Sequence, residues 1–235
     1  MPDPAPNPDL LRSLAKLVRG LSALFWGLPI TLIVCVWTSY TQWIKSAGWI
    51  PPLVATAMLM YGLWQLSGFQ KQERIWRKAL DFSFILALIN FGLSPFLFFW
   101  TRIPGNVFFT IAVVLLVVFA LLFLGSLNLV LQRLGAMLPD ESLRLETKQF
   151  TAINLNLLLL IFLLAGFYFI LHRFPAFTEN LLNSLPPWLA KLVMVLDNIS
   201  PFLLLLLVLL PLAMTMALLW KTKEIILDSV FGIER

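Results

Sequence analysis

Charge is scarce in this chain. Asp, Glu, Lys and Arg make up 12% of its 235 residues, against 60% hydrophobic residues and a mean hydropathy of +0.90. Soluble domains carry roughly twice that charged fraction, so water is excluded as the solvent for most of the fold. Cysteine is almost absent too. The single Cys35 rules out a disulfide framework and a thiol-rich metal site, and within an apolar run it reads as a small buried hydrophobe. One histidine, His172, stands beside Arg173. Haem ligation by two histidines and any histidine-cluster metal site are therefore excluded within one chain, and no cofactor is expected. The net charge of +5 comes without a basic run longer than Arg77-Lys78, so no nucleic-acid partner is expected.

Catalytic constellations are missing in the same way. A serine–histidine pair is limited to Ser94 and His172. The sequence Gly92-Leu93-Ser94-Pro95 departs from the G-x-S-G of the six-span rhomboid proteases, and no second histidine is available. Asp81 and Asp197 fall at opposite membrane boundaries rather than facing one another as an aspartyl dyad requires. No phosphate-binding G-x-x-x-x-G-K run occurs. The chain is expected to be non-enzymatic.

What is present is apolar length. Runs bounded by charge, proline or aromatic residues predict six transmembrane helices at about 21–43, 50–69, 82–100, 107–131, 153–171 and 201–220. The expected fold is all-α: a polytopic integral membrane helical bundle in one domain, 1–235, with interfacial amphipathic helices. Thirteen of the 17 Lys and Arg residues fall on one side of this division and four, Lys45, Arg102, Arg173 and Lys191, on the other. Positive charge is retained on the cytoplasmic side during insertion, which predicts both termini in the cytoplasm; the compactness of the chain alone suggests a bacterial plasma (inner) membrane. The opening "MPDPAPNPDLL" lacks the basic head and early apolar core of a cleavable signal, so the first span is expected to be retained.

Outside the spans, residues 1–20 read as a cytoplasmic helix with Arg12, Lys16 and Arg19 opposite an apolar face, either lying on the leaflet or extending the first span. Residues 132–152 read as a cytoplasmic helical hairpin turning at Leu138-Pro139-Asp140. Residues 172–200 form an outer loop holding an interfacial helix, followed by Ser200 as cap and Pro201 as first residue of span six. Residues 221–235 continue that span as a helical tail with a stripe through Leu218, Thr222, Ile225 and Ile226 that needs a partner surface.

Candidate functional residues are the uncharged polar groups of the spans. Pro95 falls about twelve residues into span three, where it cannot donate to the Phe91 carbonyl; a break is predicted there, flanked by Asn90 and Ser94. Asn128, Asn154 and Asn156 lie at similar depth in spans four and five, as interhelical glue or as a hydrophilic vestibule. Pro29 and Pro211 are further expected kinks. Small residues four apart, Ala23 and Gly27 in span one and Ala213 and Ala217 in span six, predict a close contact between those helices. Two functions follow: a scaffold or accessory subunit that meets lipid and a protein partner through its membrane faces and cytoplasmic helices, or a small transporter or channel with a site at the broken third span.

Overall fold

The computed structural model describes residues 8–40, 48–70, 72–138, 140–173 and 186–231. They form seven helices in chain order: α1 (Pro8–Tyr40), α2 (Ile50–Leu66), α3 (Arg74–Leu93), α4 (Phe96–Arg102), α5 (Val107–Met137), α6 (Glu141–Arg173) and α7 (Pro187–Phe231). No strand occurs among the described residues. Among the described residues, five segments are long and apolar enough to cross a membrane: Arg12–Ser39, Arg74–Arg102, Val107–Met137, Glu141–Gly166 and Leu206–Asp228. α2 is apolar as well but has 17 residues, about 26 Å of rise against the ~30 Å of hydrocarbon.

Local sequence explains where the helices begin. Pro51 and Pro52 occupy the first turn of α2, where a missing backbone donor costs nothing. The Asn106 side chain opens α5 by accepting the Phe108 N–H at 2.9 Å. Gly105, at φ +90°, supplies the left-handed turn just before it. Asp140 opens α6: its Oδ1 accepts the N–H of Ser142 at 2.8 Å and that of Leu143 at 3.3 Å. Those bonds, led by the Ser142 hydroxyl at 2.7 Å, hold the Asp140 carboxyl below its ordinary value.

Of the two alternatives for the amphipathic stretch at 1–20, the part from Pro8 onward follows the second: it forms the first turns of α1 and extends the first span. Its Leu17 is fully buried in the core, which holds the segment in the bundle. The hairpin at 132–152 consists of the ends of α5 and α6; Pro139 lies outside the described residues, as do 174–185 of the outer loop. Ser200 and Pro201, expected to open span six, lie inside α7, which runs unbroken for 45 residues and contains no glycine. Helix propagation from both sides outweighs the cap signal, and the interior proline forfeits one backbone bond.

Among the described residues, the core is concentrated toward one end of the bundle. Leu17, Leu21 and Leu24 of α1 meet Leu63 and Leu66 of α2, and the cluster continues through Leu127, Leu131 and Leu134 of α5 to Leu219 and Ile226 of α7. In α5, eleven of the thirteen buried residues fall between Leu121 and Gly135; in the other half only Ala112 and Leu116 are buried. Phe108, Ile111, Val114 and Val117 there face outward, as lipid-contacting residues do. The small residue Gly27 packs on α2, not on the last helix: a β-carbon on it would stand 2.9 Å from Leu59. Ala213 and Ala217 are exposed. The expected small-residue contact between first and last spans is thereby corrected. α1 and α7 do touch, through the rings of Phe25 and Trp220, 5.4 Å apart.

Candidate functional site

The break in the third apolar run consists of Ser94 and Pro95, between the end of α3 at Leu93 and the start of α4 at Phe96. Pro95 has no N–H for the Phe91 carbonyl, and the Ser94 hydroxyl donates to that carbonyl at 2.9 Å instead. The orphan acceptor created by one residue is satisfied by its neighbour. Ser94 N–H keeps its own helical bond to Asn90 at 2.9 Å. Thr56 of α2 approaches from the side, its hydroxyl 3.3 Å from that of Ser94 and 2.9 Å from the Pro52 carbonyl. Thr56, Asn90 and Ser94 are all buried. Asn90 is the exception to the bonding pattern. Its side chain is 5% exposed, yet its Oδ1 has no partner among the described residues.

A second polar node joins α5, α6 and α7. The Thr215 hydroxyl donates to the Pro211 carbonyl at 2.7 Å and accepts the amides of Asn128 at 2.9 Å and Asn154 at 3.0 Å. One proton given and two lone pairs used saturate a hydroxyl. The remaining amide protons go to the Leu124 carbonyl, 2.8 Å from Asn128 Nδ2, and to the Pro211 carbonyl, 3.2 Å from Asn154 Nδ2. Thr151 adds a bond to the Asn128 carbonyl at 3.3 Å. Both asparagines and Thr215 are fully buried. The Oδ1 atoms of the two amides are left without partners.

The candidate residues therefore divide. Asn90 and Ser94 sit at the α3–α4 break with Thr56; Asn128 and Asn154 converge on Thr215; no hydrogen bond links the two groups among the described residues. Asn156 is exposed and joins neither. Pro29 and Pro211 lie within unbroken helices. The Pro29 region is tied to α2 by the Thr31 hydroxyl, 3.1 Å from the Ala55 carbonyl.

Thr56 and Thr215 escape a search for asparagines and kinks, but they share a signal. Each ends a five-residue Pro-Leu-x-x-Thr string, "PLVAT" at 52–56 and "PLAMT" at 211–215. In both, the threonine hydroxyl returns to its own proline's carbonyl. The bond fixes the side chain so that the oxygen's lone pairs face a neighbouring helix. Among the charged groups, Lys221 of α7 forms an ion pair with Glu146 of α6, and Lys223 lies over the Trp220 ring at 5.1 Å. No group of three His, Cys, Asp or Glu side chains among the described residues could hold a metal ion. Comparison with family models, curated proteins and solved structures gives no match.

Proposed function

We propose that this protein is a non-enzymatic scaffold or accessory subunit of a membrane assembly. The observation that carries the reading is the saturation of Thr215 by Asn128 and Asn154. The Thr215 hydroxyl and both amide nitrogens, groups that would help wet a passage, are spent on holding α5, α6 and α7 together, with only the two Oδ1 atoms left over. The reading includes six crossings, with α2 as the short one and α3 and α4 as one interrupted span. It also places both termini in the cytoplasm, on the charge distribution of the loops, and takes the membrane to be a plasma membrane, on the compactness of the chain. The loosely packed half of α5 then offers an apolar flank to partner helices or lipid.

The test is stoichiometry. Full-length protein at native expression level, crosslinked in intact membranes and purified in mild detergent, is expected in a complex of fixed composition. Leucine-to-tryptophan changes on the exposed flank of α5 should dissolve that complex without lowering thermal stability. A monomer under these conditions rejects the reading.

One observation favours a second reading, a small transporter or channel. The Asn90 Oδ1 is buried beside a helix break without a partner among the described residues, an arrangement that in hydrocarbon costs free energy unless a ligand completes it. Stabilisation by a solute that Asn90→Leu abolishes would establish this alternative.

A further inference from the structure

The turn between α2 and α3 holds a cleft of about 290 Å³ lined by Ser67, Phe69, Trp76, Arg77, Leu80 and Asp81. Its wall is apolar and buried: Phe69 and Trp76 meet edge to face at 6.4 Å, with Leu80 one turn further along α3. Its mouth is polar, with Ser67, Arg77 and Asp81 exposed. Glu73, Arg77 and Asp81 follow one another at four-residue steps, the spacing at which opposite charges on a helix ordinarily pair. Here they do not. Among the described residues neither carboxylate forms an ion pair with Arg77, and Glu73 Oε2 is shielded from solvent without a partner. The cleft thus presents separated positive and negative groups above an aromatic wall, at the head of a segment apolar enough to cross a membrane.

We propose that this cleft binds the headgroup of a zwitterionic aminophospholipid of the phosphatidylethanolamine type. Arg77 and the Ser67 hydroxyl take the phosphate, Asp81 takes the primary ammonium, and Phe69, Trp76 and Leu80 cover the glycerol and first acyl carbons. An anionic lipid lacking an amine meets Asp81 as a like charge with nothing to pair it. A choline headgroup has no N–H to donate to Asp81. The inference is independent of whether the protein is a scaffold or a transporter.

Purified full-length protein in detergent, titrated with dioleoyl-phosphatidylethanolamine, -phosphatidylcholine or -phosphatidylglycerol and read by native mass spectrometry, tests it. The ethanolamine lipid is expected to bind about tenfold tighter than the other two, the scale of one charge-assisted hydrogen bond. Asp81→Asn should erase that preference without weakening the choline lipid, and Arg77→Gln should weaken all three. Both substitutions change exposed side chains, and equal melting temperatures with wild type check the fold. In the wild-type protein, a photoreactive ethanolamine lipid should crosslink within residues 67–81. Equal affinity for the three lipids, a preference that survives both substitutions, or crosslinks confined to other segments would overturn the proposal. Soluble glycerophosphoethanolamine carries the same headgroup; its binding as tightly as the lipid would reassign the cleft to a free phosphoamine and overturn the lipid assignment.

Discussion

A β-carbon placed on Gly20 would stand 2.8 Å from the carbonyl oxygen of Gly62, and one placed on Gly62 would stand 2.7 Å from Leu24. α1 and α2 meet backbone to backbone at this point, and a carbonyl cannot swing aside as a side-chain tip can. Gly20→Val should therefore force the two helices apart and lower stability by about 1 to 3 kcal/mol. Gly92→Ala provides the contrast, since nothing lies within 4 Å of its β-position; in a helix the change should be neutral or stabilising by up to about 1 kcal/mol. Thermal melts of the two variants in detergent compare them directly, and equal losses would show that the approach is not tight.

Thr215→Val keeps the shape of the side chain and removes the oxygen that serves two amides. A loss of about 1 to 3 kcal/mol is expected, because the amides of Asn128 and Asn154 each lose one of two partners inside the bundle. Thr215→Ser should retain most of the stability. Asn156→Ala should cost little, its side chain being exposed. Denaturation in mixed micelles ranks these variants, and an indifferent Thr215→Val would remove the node as a stabilising element.

Ser94 and Pro95 should couple in a double-mutant cycle. Alone, Ser94→Ala strands the Phe91 carbonyl and should destabilise by about 1 kcal/mol. In a Pro95→Ala background the new backbone N–H reaches that carbonyl, so the same serine change should cost much less. Strict additivity would mean that the Ser94 hydroxyl does not replace the missing backbone bond.

Asp140 predicts a pH dependence. Its carboxyl is held below the usual 3.8 by the Ser142 hydroxyl and the Leu143 N–H, so the charged form is favoured in the folded protein. That stabilisation is fully present above the unfolded value and is lost as pH falls through the lowered folded value. The stability gap between wild type and Asp140→Ala should stay constant from neutral pH down to about 5 and narrow below about 4. A gap that widens on acidification contradicts the capping role.

The proposed orientation is tested with a Cys35→Ser background. Cysteines introduced at Ser46 and Thr178 should react with an impermeant thiol reagent on intact cells, and one at Ser142 should not. Labelling at Ser142 alone would invert the topology.

How much of this was legible in sequence depends on the range of the forces involved. Apolar length and charge distribution are local sums, so the helical segments could be read directly. Proline chemistry is local too: the missing donor at Pro95 requires a neighbouring group to serve Phe91, and Ser94 is one residue away. Partner choice is not local. Ala23-Gly27 and Ala213-Ala217 offer equivalent small faces on paper, and only the packing of Gly20 against Gly62 settles that the α1 face belongs to α2. Thr215 was invisible for the same reason: a threonine in an apolar helix ordinarily bonds within its own turn, and its reach to Asn128 and Asn154 depends on where α5 and α6 lie. The continuity of α7 was hidden by a strong local cap signal that long-range helix propagation overrode.

The 45 residues of α7 correspond to a rod of about 68 Å. Even tilted by 40°, a helix keeps only about 39 Å inside 30 Å of hydrocarbon. A straight rod crossing at that tilt would therefore leave about 29 Å, shared between its two ends, outside the hydrocarbon. The rod has two soft points, where Pro201 and Pro211 withhold bonds from the carbonyls of Asp197 and Leu207. The second is clamped. Asn154 holds the Pro211 carbonyl to α6, and Lys221 grips Glu146 further along. Bending at the unclamped Pro201 would move the Pro187 end while these two contacts keep the Lys221 end tied to α6.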